Sequence, residues 1–472
     1  MSTPFLCFVA VTLYFLVLTG ISFYRARKAS ITDYLIGSRN STWWLITLGM
    51  VSDTLSGVTY ISVPGMVSTH AYSYLQIVAG YFFGYLIITY VLLPVYYRFN
   101  LISIYSYLGT RFGTPAQKTA SALFIVSRLF GSAARLYLAV LVLHQFLFLG
   151  LFSPTFSFLG AMALIVLYTY KGGVKSLVWT EAFQSVFLIA GITVVFFVVC
   201  KTVKTPLEVI LNPKIFFWDP MSSHFFLKQF IGGMFITISM TGLDQNLMQV
   251  NLSCRSLKEA QKNMLVFSGV VVAINFMFLA LGALVLEVYR TTGMPIVTAD
   301  QLLPNLVFKT FGVVPVLFFV LGLTAASFSS ASTVLPSIAT SIEIDLLPKP
   351  LQETINIRIL HVLVAALLLV IIYALYLAQT QSLISVVLRY AGYTYGPILG
   401  LFTIGILSHR TIRTRLVPYA AGTSILCTAV IDHLARHQHL HYEFGVELLV
   451  INALFFITIL TLGSWHLSSD SH

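Results

Sequence analysis

The chain has 472 residues, of which 58% are hydrophobic and 9% charged, with a formal net charge of +11 and a mean hydropathy of +0.89. Apolar runs of about 20 residues, each long enough to cross hydrocarbon, recur from end to end, which excludes a soluble domain and a disordered chain. The basic residues form no stripe, which excludes a nucleic-acid binder, and Cys7, Cys200, Cys254 and Cys427 have neither disulfide-framework nor metal-site spacing.

About thirteen spans are predicted: 4–24, 43–66, 72–97, 117–147, 154–170, 176–199, 224–250, 264–288, 310–342, 358–378, 382–406, 416–434 and 446–464. The expected class is an all-α polytopic membrane protein, with residues 1–472 forming one transmembrane domain. The first span ends on Arg25, Arg27 and Lys28 without a small-residue cleavage site, so it reads as a retained helix. With the N-terminus outside, the inner loops collect Arg25, Lys28, Arg98, Arg111, Lys175 and Arg413, while the outer loops keep few basic residues, such as Lys201 and Arg290. The expected location is therefore a bacterial inner (plasma) membrane, multi-pass, with a cytoplasmic C-terminus and no appended soluble domain.

The second span mixes Ser52, Asp53, Thr54, Ser56, Gly57, Thr59, Ser62, Pro64 and Gly65. Gly and Pro weaken the helical ladder and hydroxyls compete for its bonds, so this span is expected to break near the midplane and expose carbonyls there. Ionisable groups at membrane depth are costly and point to function. Asp53 is the first of these. In the fourth span Arg128 and Arg135 lie seven residues apart on one helix face, about 10 Å along the axis. Arg135 is the deeper and can grip a carboxylate through its forked donors; the competing reading is an ion pair with Asp53. Arg128 is expected to snorkel toward the inner surface. Glu181, about one turn into the sixth span, either balances a cation or titrates. Asp244 and Gln245 stand near the inner end of the seventh span, where Asp244 is expected to cement loops.

The ninth span carries Thr324, Ser327, Ser329, Ser330, Ser332 and Thr333 in apolar surroundings. Residues three and four apart share a helix face, so Ser329, Ser332 and Thr333 point one way. Hydroxyls in lipid need partners, and a wall of oxygen atoms suits a bare alkali cation; the alternative is back-bonding to their own helix or close helix packing. His433, His437, His439 and His441 cluster in an outer loop and read as solvated. The sequons Asn40-Ser41-Thr42 and Asn251-Leu252-Ser253 fall inside on this topology and are discounted.

Taken together these motifs resemble the sodium–solute symporter family. The resemblance rests on Asp33-Tyr34-Leu35 followed by Gly37-Ser38-Arg39 and Trp43-Trp44, and on Tyr107-Leu108 with Arg111-Phe112-Gly113. It rests further on Gly172-Gly173 with Trp179-Thr180 and Gln184, on Asp244-Gln245 with Leu252-Ser253, on Ala325-Ala326-Ser327-Phe328-Ser329-Ser330 with Asp345, and on Tyr395-Gly396-Pro397. The matches keep their order from about residue 33 to 405.

The resemblance implies a LeuT-type 5+5 inverted repeat. Residues 1–30 would form a preceding helix, 40–200 the first repeat, 222–406 the inverted second repeat and 410–472 two C-terminal helices. It implies a sodium site made by the carbonyls of Ser52, Leu55 and Ala326 and the hydroxyls of Ser329 and Ser330. A possible second sodium would use Glu181, Ser329, Ser332 and Thr333, with Glu standing where such members carry Asp. Phe328 stands where the family often has Met, and Pro336 where it often has a polar residue. Candidate solute contacts are Asp53, Thr54, Ser56, Thr59, Arg135, Thr237, Thr241 and Gln245. The expected function is sodium-coupled symport of a small polar solute (sugar, polyol, amino acid or carboxylate) by alternating access. Sodium is the coupling ion, and neither an organic cofactor, an enzymatic activity, a nucleic-acid partner nor an obligate protein partner is expected. The alternative is a proton-coupled symporter of the same fold using Glu181 or Asp53.

Overall fold

The computed structural model describes residues 3–144, 153–220, 222, 224–295, 297–378, 383–408, 411–437, 444–445 and 447–465. No strand occurs among them; Ser41 and Cys254 make one isolated bridge. The helices in chain order are α1 (Thr3–Arg25), α2 (Ile31–Ile36), α3 (Trp43–Thr54), α4 (Gly57–His70), α5 (Tyr74–Ile87), α6 (Leu93–Arg98), α7 (Ser106–Phe112), α8 (Thr114–Leu143), α9 (Pro154–Thr169), α10 (Gly173–Thr202) and α11 (Pro206–Leu211). There follow α12 (Phe226–Thr237), α13 (Gln245–Asn251), α14 (Leu257–Thr292), α15 (Ala299–Thr310), α16 (Val313–Ser332), α17 (Val334–Ser341), α18 (Lys349–Thr354), α19 (Ile357–Ala378), α20 (Leu383–Leu407), α21 (Val417–His437) and α22 (Glu447–Trp465). Of the expected outer-loop histidines, His433 lies in α21, while His439 and His441 lie outside the described residues.

Among the described residues nine helices are long and apolar enough to cross a membrane, or ten if one bent pair counts as a single span. The shortfall from the thirteen expected has a physical cause. The second expected span is two helices of 12 and 14 residues, about 18 and 21 Å long against about 30 Å of hydrocarbon. The fifth is a helix of 16 residues, and only part of the eleventh is described with its side chains.

Two spans are broken. α3 ends at Leu55, whose backbone (φ −90°, ψ 79°) leaves the helix, and the Ser56 side chain restarts the chain by accepting the Thr59 amide. Gly57 is required at the restart, because a Cβ there would stand 2.1 Å from Ser327 Oγ of α16. α12 passes through a π turn (Ile238–Gly242) and bends by 66° into α13. The Asp244 carboxylate caps α13 by accepting the amides of Asn246 (2.9 Å) and Leu247 (3.4 Å). Such caps satisfy amides that the interruption strips of their helical acceptors.

Small residues let neighbouring backbones touch, which is how apolar helices associate without a hydrophobic drive. The seam between α5 and α12 shows it: a Cβ at Gly80 would lie 2.1 Å from the Phe230 carbonyl, and one at Gly233 2.3 Å from that of Ile77. α1 packs outside this core, against α9, α10 and α16.

Candidate functional site

The end of α3 meets α10 and α16 in a buried cluster of oxygen atoms. Ser52, Ser329 and Ser332 are fully buried and Glu181 is 1% exposed. The Glu181 carboxylate accepts from Ser332 (2.7 Å), from Ser52 (3.0 Å) and from Ser329. Ser52 and Ser329 hydroxyls lie 2.9 Å apart, and the Ser185 hydroxyl accepts the Ser52 amide at 3.0 Å. Ser330 donates to the Ser327 carbonyl at 3.2 Å, within its own helix. Ala326 and Leu55 are buried at the same junction.

Glu181 therefore touches residues expected of both ion sites, Ser52 and Ser329 of the first and Ser329 and Ser332 of the second. Glu has one more methylene than Asp, and its arm spans the gap from α10 to both Ser52 and Ser329. Thr333 goes elsewhere: it donates to Asp53 at 2.7 Å and makes no hydrogen bond to Glu181. The chemistry of the donor set fits a hard monovalent cation, since every polar group offered here is oxygen. Leu55, Ala326 and Ser330 can complete such a shell with two carbonyls and a hydroxyl.

Beside this junction lies a cavity of about 300 Å³. Asp53, Thr54, Ser56 and Thr59 line it from the α3–α4 break, Arg135 from α8, and Thr237 and Thr241 from the α12 side. Ile77, Met240 and Val271 give it an apolar wall. Asp53 is held by Thr333 and by the Asn246 side-chain amide, which donates to it at 2.8 Å. Arg135 makes no ion pair or hydrogen bond to any described residue. The buried Thr54 hydroxyl likewise has no hydrogen-bond partner among the described residues. The cavity thus presents a guanidinium that makes no hydrogen bond to a described residue and the buried, unsatisfied hydroxyl of Thr54.

Two expectations are corrected. Gln245 faces away from the cavity: its side chain accepts the Ile104 amide (2.9 Å) and donates to the Ile102 carbonyl (3.0 Å). It starts a new helix after the break, and that turn aims it at the loop before α7. Arg128 does not snorkel. It is 6% exposed and its Nε donates to Asp244 at 2.6 Å, with Tyr395 hydroxyl on the same carboxylate oxygen. A buried acid within reach gives the guanidinium a partner that water cannot better. Asp244 does cement the break, as its position suggested. Asn246 was missed; its place beside the Asp-Gln pair was the only signal.

A second cavity of about 460 Å³, lined by Thr298, Asp300, Gln301 and Asn305 of the α15 region, lies next to it, with Val58, Ser62 and Leu138 lining both. The opposite end is knitted shut. Gln249 donates to the Leu35 carbonyl (2.5 Å) and to Thr340 (2.8 Å), and buried Asp345 accepts from Ser103 and Gln117, both at 2.7 Å. Thr169 gives its proton to the Ile165 carbonyl, so it accepts from His361 Nε2, and His361 Nδ1 in turn accepts from Tyr34 of α2.

Residues 34–414 match the Sodium:solute symporter family. Mouse sodium-coupled monocarboxylate transporter 2 is 26% identical over 424 residues, covering 83% of this chain and 67% of the relative. The human sodium/iodide cotransporter is 26% identical, covering 83% and 64%. The chain thus spans about two thirds of the length of these relatives. A solved structure of a substrate-bound, outward-open Na+-coupled sialic acid symporter superposes with a TM-score of 0.83 at 21% identity, covering 98% of both chains. That likeness bears out the LeuT-type, all-helical fold.

Proposed function

This chain belongs to the sodium:solute symporter family, and on that premise we propose that it carries a small organic monocarboxylate together with sodium by alternating access. The observation that carries the choice of solute is Arg135, a guanidinium in the cavity with no described partner, while Asp53 is already held by Thr333 and Asn246. A carboxylate can take Arg135 in a two-pronged, charge-assisted contact. The Thr54 hydroxyl can meet an oxygen on the adjacent carbon, and Ile77, Met240 and Val271 can cover an aliphatic tail. The monocarboxylate relatives agree with this reading.

Sodium acts first. Held by the carbonyls of Ser52, Leu55 and Ala326 and the hydroxyls of Ser329 and Ser330, it ties the broken end of α3 to α16. That tie fixes the edge of the solute cavity, so sodium tightens solute by the factor that solute tightens sodium. Glu181 holds Ser52 and Ser329 in place for the ion. The cavity borders a second one on the α15 side while hydrogen bonds tie the α2 side together, an arrangement that supports loading from the α15 side. Sodium's gradient and the membrane potential, about 2.3 kcal/mol per charge per 100 mV, drive the cycle.

The test is uptake into proteoliposomes of a panel of radiolabelled C3–C8 monocarboxylates, sugars and amino acids, with an inward sodium or potassium gradient. Monocarboxylate uptake that needs sodium and falls at least about 100-fold in Arg135→Gln is the expected result, a loss of roughly 2.7 kcal/mol or more. Uptake of a neutral sugar that survives Arg135→Gln refutes the choice of solute. Uptake driven equally by a proton gradient in potassium refutes the choice of ion.

A further inference from the structure

Between α1, α8, α9 and α16 the fold leaves an apolar crevice of about 790 Å³, apart from the solute cavity. Its floor includes Phe15, Val140, Thr324 and Phe328, all buried, and its rim includes Leu16, Phe156 and Leu167, which are 63%, 67% and 49% exposed. The rim is part of the apolar belt that these helices turn toward lipid, so the crevice continues the bilayer interface into the protein. Most of its few polar groups are already engaged: Thr12 donates to the Phe8 carbonyl (2.8 Å), Thr324 to that of Val320 (2.7 Å), and Ser157 pairs with His144 (2.8 Å), leaving the Thr19 hydroxyl. No polar ligand is called for.

The dimensions select the occupant. The lining runs from Phe8 to Thr19 on α1 and from Phe156 to Leu167 on α9, about 16 Å of helix in each case. That is half of a hydrocarbon core of about 30 Å, the depth of one leaflet. A Cβ at Gly160 would meet nothing within 4 Å, so the space is open from the α9 side.

We propose that this crevice binds one acyl chain of a membrane phospholipid, and that the bound chain braces α16 behind its sodium-binding face. Phe328 makes the connection. It lies two residues before Ser330, about 200° around the helix, so its ring is on the back of the ion site. The ring meets Phe15 of α1 edge-on at 4.7 Å, and the Phe328 carbonyl accepts from Tyr168 at 3.4 Å. The Phe328 ring gives the crevice a rigid floor that transmits the pressure of the chain to α16.

The experiment uses the full chain in nanodiscs of palmitoyl-oleoyl phosphatidylethanolamine, released stepwise into detergent and weighed by native mass spectrometry. Three proteins are compared: wild type, Gly160→Leu, which fills the crevice, and Gly269→Leu, which adds the same side chain at an exposed helical position where a Cβ also meets nothing. Wild type and Gly269→Leu are expected to keep one phospholipid after the rest are lost, and Gly160→Leu to lose it. In wild type, a phosphatidylethanolamine with a mid-chain diazirine is expected to label residues 8–19 and 156–167. The sodium concentration for half-maximal thermal stabilisation is expected to rise at least about fivefold in Gly160→Leu alone. Equal lipid counts in all three proteins, or labelling spread evenly over the lipid face, overturn the site. Loss of the lipid with unchanged sodium dependence overturns the bracing role. That last readout rests on the ion site proposed above; the lipid count and the labelling do not, so the two failures are distinguishable.

Discussion

Removing Arg128 while keeping its volume, as in Arg128→Met, strands a buried carboxylate. Asp244 is fully buried and its Oδ2 takes the Arg128 Nε at 2.6 Å, while Arg128 Nη2 also donates to the Met240 carbonyl at 3.2 Å. The charge-assisted bond is worth about 1.5–3 kcal/mol and the second bond about 0.5–1.5. Their sum agrees with the roughly 3–5 kcal/mol lost when one member of a buried pair is removed. Tyr395 and the two cap amides remain on Asp244 and keep the loss toward the lower end. The double variant Arg128→Met with Asp244→Asn no longer buries a lone charge, so it is expected to be more stable than Arg128→Met alone by about 1–3 kcal/mol. Unfolding by SDS titration from mixed micelles measures all of these. A single-variant loss under about 1 kcal/mol, or a double variant as unstable as the sum of the singles, refutes the reasoning.

Sodium-dependent thermal stabilisation, measured against potassium at constant ionic strength, is expected in wild type and is expected to weaken at least tenfold in apparent affinity, about 1.4 kcal/mol, in Ser330→Ala. Gln245→Ala is expected to lower stability by about 1–3 kcal/mol through the freed Ile104 amide while leaving the solute KM within about twofold, because the side chain does not face the cavity. The Asp33 carboxylate, in the short helix α2, is pushed up by burial but pulled further down by the Ser38 hydroxyl, the Ser30 amide and Lys175, so it rests below the usual carboxylate range. A depressed folded value means its stabilisation is present above the unfolded value and lost as pH falls through the folded one. Thermal stability is therefore expected to drop on acidification below about pH 4, and Asp33→Asn to remove that part of the drop.

The interruption of the second span was legible because its causes are local: Gly57 and a run of hydroxyls weaken the ladder where the break falls, while Pro64 sits inside α4. The hydroxyl face of α16 was legible for the same reason, since period alone puts Ser329 and Ser332 on one side. What periodicity does not carry is which distant group each side chain meets. Asp53 finds Asn246 across 193 residues and Arg128 finds Asp244 across 116. Both pairings depend on the 66° bend after the π turn, which sends Asp244, Gln245 and Asn246 in three directions. The extra reach of Glu181 over Asp was visible as a substitution; that it would join two sets of ligands required the helices to be in place.

The glycine seam between α5 and α12 bears on how such a protein can change its diet. At Gly80 and Gly233 the opposing atoms are backbone, which has no rotamer to yield, so any larger residue there parts the two helices. Ile77 on α5 and Ile236 on α12 line the cavity instead, where a change of side chain alters the space left for the solute. Fixed and free positions thus alternate along the same pair of helices. New substrates can be explored by ordinary point substitution on one strip, while the adjoining strip holds the moving parts at constant spacing.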